Sequence, residues 1–341
     1  MAHLSKEFNI TLNGKVALSL DKGELDVRGW DEECCKLVVE SEKPIKLNHK
    51  AKSDKLYISL AGELTKQVQV YLPKMCDLFV DGSYLDLSIA NLDYKVKVDN
   101  GNGKTSITNI DGEIKVEQSK GSIEFVSNHG KVRADLGAVE TEVYNHQGEI
   151  NLDIGRGNLN LKGLDGDARL ILAKGKHVVT DSRGTLNFNS SGDISITSSR
   201  FTRVKGRGFG DTVLHLPIAY VANYSLTTSG DFYLGIPSDS AFSLKAKVKS
   251  IDNKVDSLQL TKGNGEYKGD KGLHPLGDVS LEGKHLKIES IVLKDDSADF
   301  YDKEENQESL KILRMVEEGT LDPQKAEELL ETFEEFEKGE N

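Results

Sequence analysis

The chain has 341 residues, with 32 glycines against 6 prolines, only 6% aromatics and a formal net charge of −12. Turns made by glycine rather than proline suit a repetitive β-protein, and an acidic balance excludes a general attraction for nucleic acid or anionic lipid. No run approaches the roughly 18 consecutive apolar residues of a membrane helix.

Taken in chain order, the opening MAHLSKEFNITLNGKV has no apolar h-region. No secretory signal is expected there, and the default compartment is cytoplasmic. Residues 1–84 read as irregular strands, with NGKVALSL and KGELDV nine residues apart. In ECCKLVVE, alternation puts Cys35, Leu37 and Val39 on one face and Cys34 on the other. Cys34, Cys35 and Cys76 form neither a disulfide framework nor a C-x-x-C metal spacing, so they read as strand residues.

Residues 85–192 carry a nine-residue repeat. Glycine stands at 103, 112, 121, 130, 148, 157, 166, 175 and 184, and only Val139 interrupts the series. Two positions after each beat the chain reads Leu87, Val96, Thr105, Ile114, Ile123 and so on to His177 and Leu186; four positions after, Ile89, Val98, Ile107, Val116, Phe125 and on to Phe188. Apolar residues at every second position describe a five-residue strand with one buried face. The four residues between strands make the turn. Two residues before the beat, small residues (Gly101, Ser119, Gly137, Gly155, Ala173) alternate with mostly large ones (Leu92, Ile110, Asn128, His146, Leu164). Two unlike corners predict an all-β fold: a parallel β-solenoid with two short strands per 18-residue coil, right-handed like other parallel crossovers. Residues 193–301 slip by one after Gly192 and continue in short segments that extend or cap the coil, completing a β-solenoid domain over 1–301.

Residues 302–341 differ in kind. They hold 14 acidic and 5 basic residues, a net of −9, which leaves about −3 for the rest. Leu310, Leu313 and Val316 form one helical stripe ended by Gly319. Asp322 as N-cap and Pro323 open a second helix with a stripe of Ala326, Leu329, Leu330, Phe333 and Phe336. This acidic helical hairpin is too short to be stable alone, so its apolar side is expected to dock on the solenoid, a second copy or a partner.

The outward positions carry the candidate chemistry. On one face Lys97, Lys115, Arg133, Asn151 and Arg169 run beside Asp99, Glu117, Asp135 and Asp153, and beside the alternating Lys95, Glu113, Lys131 and Glu149. These predict charge ladders on a solvated face rather than a polyanion site. On the other face Ala90, Thr108, Val126 and Tyr144 form a weakly polar strip, suited to cover by the chain's own N-terminal strands, its tail or a partner. Asp93, Asp111, His129, Gln147 and Asp165 share a turn column, but oxygens along a line do not surround a cation, so turn formation explains them. His129 and His146 read as exposed turn residues and His177 as a core residue. DNGNGKTS at 99–106 ends like a phosphate-binding loop, yet the first glycine of that motif falls on Val98 and TSIT continues as a strand, so no nucleotide is expected. KGRGFGD at 205–211 lacks a βαβ setting. No nucleophile elbow, metal-binding histidine pair or catalytic cysteine pairing is present, so no cofactor, no metal and no enzyme activity are expected.

The segments KGELDVRGWDEE, VQVYLPKM, SGDISITSS and TTSGDFYL, with LKILRMVEEGTLDPQKAEELLETF at the end, resemble a bacterial family of adhesin-like β-solenoid proteins of unknown function, some with a short helical tail. The resemblance implies the fold and carries no catalytic residues. Together these readings predict a non-catalytic scaffold whose tail mediates oligomerisation or docking to a protein partner, with no nucleic acid, nucleotide or membrane span. A carbohydrate-binding or carbohydrate-cleaving β-helix and an end-to-end polymer are the alternatives.

Overall fold

A computed structural model describes residues 2–291 except 11–12, 42–45, 53, 62–66, 217–221, 239, 273–274 and 276. The chain divides into two units, Met1–Val292 and Leu293–Asn341. The predicted hairpin, with Leu310, Leu313, Val316, Leu329, Leu330, Phe333 and Phe336, lies outside the described residues.

The first unit is all-β among its described residues. Alternation drives it: all positions two and four residues after the nine-residue beat, from Leu87 to Phe188, are buried. Extended backbone puts successive side chains on opposite faces, so these residues turn inward together and their neighbours outward. The strands form two parallel ladders. One runs through Asp77–Leu92, Val96–Val126, His129–Tyr144, Gln147–Arg156, Asp165–Lys174 and Arg183–Ser190, pairing residues 18 apart, such as Leu78 with Val96, His129 with Gln147 and Asp165 with Arg183. The second interleaves with it, pairing Leu87 with Thr105, Thr141 with Leu159 and Leu159 with His177, again 18 apart. Inward side chains of both ladders join one continuous core.

The slip after Gly192 has a structural form. His177 pairs with Ile194 and Arg183 with Arg200, 17 apart; a bulge between Gly184 and Thr185 then restores the offset to 18 at Thr185 and Arg203. Beyond it Arg203 pairs with Asn223, 20 apart, while in the other ladder Ile194 pairs with Thr212 at 18 and Thr212 with Phe232 at 20. The N-terminal strands prolong the ladders at their edges: Lys22–Trp30 pairs with the second half of Asp77–Leu92, and Lys15–Leu20 with its first half. Antiparallel strands flank them, Lys46–Lys52 on one ladder and Cys34–Ser41 followed by Ala2–Asn9 on the other. Lys46, Lys50 and Lys52 on an exposed outer strand discourage further pairing. Near the other end, Phe242–Lys247 pairs antiparallel with Glu266–Lys271. Lys271 there is 5% exposed and its ammonium donates to the Pro237, Ser238 and Ser240 carbonyls, which satisfies all three N–H bonds.

Two of the segments that carry the family resemblance meet in space. The Lys74 N–H donates to the Trp30 carbonyl, the Lys74 ammonium lies 2.8 Å from Asp31, and the Trp30 ring packs 5.4 Å from Tyr71.

Candidate interaction surface

The strands fix where outward side chains can meet. Stacked residues lie one inter-strand spacing apart, about 4.8 Å, so opposite charges 18 residues apart pair directly. Lys95 reaches Glu113 at 2.8 Å, Lys131 pairs with Glu149, and Lys115 pairs along its own strand with Glu117 at 2.8 Å. Hydrogen bonds from Lys95, Lys115 and Lys131 are the main reason that the Glu113, Glu117 and Glu149 carboxyls titrate below their usual range. Arg133 and Arg169 line an open depression of about 260 Å³ with Asn151, beside Asp135 and Asp153. The acidic column ends there: the next stacked position is Ile171, paired with Asp153 and 40% exposed.

On the opposite face Ala90, Thr108, Val126 and Tyr144 are half-buried and adjacent, with Ala90 beside Thr108 and Val126 beside Tyr144. The Tyr144 hydroxyl donates to Glu142 at 3.0 Å and accepts from Asn160 at 3.3 Å. Among the described N-terminal strands, Lys22–Trp30 meets this strip edge to edge, with Arg28 opposite Ala90. Coplanar hydrogen bonding satisfies its backbone, whereas a position above the face would leave it open.

The corners differ most from the sequence reading. Asn91, Asn109, Ser127, Asn145, Gly163, Asp181 and Ser198 take positive φ, between 49° and 74°, at spacings of 17 or 18 residues. That bend turns the following residue inward, so Leu92, Ile110, Asn128, His146, Ser182 and Ser199 form a buried column. His146 is therefore 1% exposed and not an exposed turn residue, while His129 remains exposed. Polar members of the column serve as backbone partners: the Asn128 amide accepts from the Ile110 N–H at 2.9 Å and donates to the Ile107 carbonyl at 3.0 Å. The apolar column mates Leu92, Ile110 and Leu164 were the available signal that His146 points inward. His177 is buried as expected. Its Nε2 lies 3.3 Å from the Ala173 carbonyl and that of His146 3.4 Å from the Glu149 carbonyl, but each Nδ1 lacks a partner among the described residues. Burial pushes both imidazoles below their usual pKa.

In the turn column Asp111 meets His129 at 2.9 Å and Asp165 pairs with Arg183. Cys35 is fully buried and its thiol is pushed up to about 12, mainly by burial. Its nucleophilic form is therefore suppressed.

In DNGNGKTS, Gly103 takes φ 139° and its carbonyl accepts from the Gln118 amide at 2.9 Å. The Lys104 N–H donates to Asp86 at 2.9 Å, and Thr105 is buried. The Thr105 hydroxyl donates to Gln118 at 2.7 Å and accepts from the Asn100 amide at 3.3 Å, making a closed polar cluster inside the core.

Residues 308–338 match the model of a SHOCT-like domain. No curated protein matches the chain. Three solved structures are similar to it: a candidate cell adhesion protein from Clostridium sporogenes ATCC 15579 (12% identity, TM-score 0.17, 85% of this chain and all of that one), a candidate adhesin from Bacteroides fragilis NCTC 9343 (9%, 0.25, 85% and 97%) and a candidate lipid binding protein from Parabacteroides distasonis ATCC 8503 (10%, 0.31, 84% and 97%).

Proposed function

We propose that the protein is a non-catalytic interaction scaffold: a rigid β-solenoid whose C-terminal helical segment mediates self-association or docking to a protein partner. The observation that supports it is the disposition of the regular faces. Several acids and bases there pair with one another across or along the stacked strands, as in Lys95–Glu113, Lys115–Glu117 and Lys131–Glu149, whereas hydrolysis needs an acid–base couple free to act. Core polar groups such as Thr105 and Gln118 are likewise engaged with each other. The apolar stripe of the tail, with Leu329, Leu330, Phe333 and Phe336, is the part of the chain that a partner would cover.

Removing residues 302–341 tests this. The truncated protein is expected to keep its β-type circular dichroism and to show a lower mass by light scattering, or to lose a partner that the full chain retains in pull-down. Unchanged mass and an unchanged set of partners would refute the role given to the tail.

A further inference from the structure

The balanced ladders stop near the bulge, and the face changes character there. The strand Arg200–Gly208 points Arg203, Lys205 and Arg207 outward at alternate positions, all exposed. None of the three has an ion-pair or hydrogen-bond partner among the described residues. Alternate residues of a strand lie roughly 6.6 Å apart, so the row spans about 13 Å. The strands on each side carry only neutral polar groups at the paired positions: Thr185, Asn187 and Asn189 on one, Asn223, Ser225 and Thr227 on the other. One strand further out stand Asp167, whose carboxylate accepts from the Thr185 hydroxyl at 2.6 Å, Glu282, 3.0 Å from the Lys247 ammonium, and Asp278, paired in register with Asn223. Phe209 stands at the end of the row, 73% exposed. Its backbone is pinned by the Ser190 carbonyl and the Ser229 hydroxyl, each at 2.9 Å.

We infer that this strip binds an anionic polysaccharide, a linear carboxylate-bearing glycan laid along the row. Cations at strand spacing meet successive carboxylates. The flanking amides and hydroxyls both donate and accept, which suits sugar hydroxyls. Phe209 offers an apolar face for a sugar ring. The strip is narrow, bordered on both sides by strands that carry acids, and this favours a linear polymer over the broad plane of an anionic membrane. A single-stranded nucleic acid calls for successive stacking aromatics, and this row has one. The inference uses the binding role assigned above but not the tail.

The full-length chain is tested by affinity electrophoresis and calorimetry against polygalacturonate, with neutral dextran, mixed-sequence single-stranded DNA and phosphatidylglycerol vesicles as competing arms. Polygalacturonate is expected to bind the wild type most tightly. The variant carrying Arg203→Ser, Lys205→Ser and Arg207→Ser should bind at least tenfold more weakly, and Phe209→Ala several-fold. A control with Lys95→Ser, Lys115→Ser and Lys131→Ser makes the same charge change on the same face and should bind as the wild type. Absence of polygalacturonate binding, equal loss in both triple variants, or tighter binding to DNA or vesicles would overturn the inference. An unchanged light-scattering mass in the strip variant separates its failure from that of the tail reading.

Discussion

At Gly103 a side chain would collide with the stack. A Cβ there would lie 1.9 Å from the Leu85 carbonyl oxygen, and φ is 139°. Gly103→Ala is expected to destabilise by at least ~2 kcal/mol in urea unfolding, whereas Gly263→Ala, with open space around it, should stay within about 0.5 kcal/mol. Equal effects would mean that the corner relaxes freely. The buried histidines make a pH prediction. His146 and His177 have folded pKa values depressed below 6.5, so near and below that value the unfolded chain binds more protons than the folded one. Their contribution to stability is complete above about pH 6.5 and is lost as the pH falls through that value. The double variant His146→Leu, His177→Leu should flatten the fall in melting temperature between about pH 7 and 5.5; an unchanged slope would assign the pH dependence to other groups.

Among the elements, the exposed ladders and the buried polar cluster contribute differently. A surface pair such as Lys131–Glu149 is screened by water and is worth little beyond its share of register. Thr105 and Gln118 are buried, and removing one leaves the other's polar group without its partner. A double-mutant cycle of Thr105→Val and Gln118→Leu should therefore show a coupling of about 1–2 kcal/mol; additivity would show that the cluster is not a unit. The strand faces of this region were legible in advance because alternation needs no knowledge of the partner strand. Alternation did not reveal the inward direction of His146, which follows from the positive φ of Asn145, because strand alternation does not extend through a corner; only its apolar column mates pointed to it.

On the scale of the whole molecule, the 18-residue offset between paired strands makes an 18-residue segment a removable unit. Deleting residues 130–147 brings Gly148 to the place of Gly130, and the two already pair in register. The shortened protein should keep a β-type spectrum and a cooperative melt, while deleting only 130–138 joins strands of unlike ladders and should abolish both. Survival of the nine-residue deletion would show that the two corners are interchangeable. The anionic-polysaccharide strip also belongs to this scale, since such a polymer lies in the cell envelope or beyond it, and its binding would count against the cytoplasmic expectation. The amino-acid sequence alone determined the strands, their buried positions from Leu87 to Phe188 and the paired charges, because each follows from a local period that any stacking must respect. Tertiary structure alone decided the positive-φ corner that buries His146, that the N-terminal strands extend the ladders edge to edge, and that Arg203, Lys205 and Arg207 stand between two neutral rows. Those facts depend on corner dihedrals, a bulge and offsets of 17 and 20 residues, which set who neighbours whom without leaving a period to read.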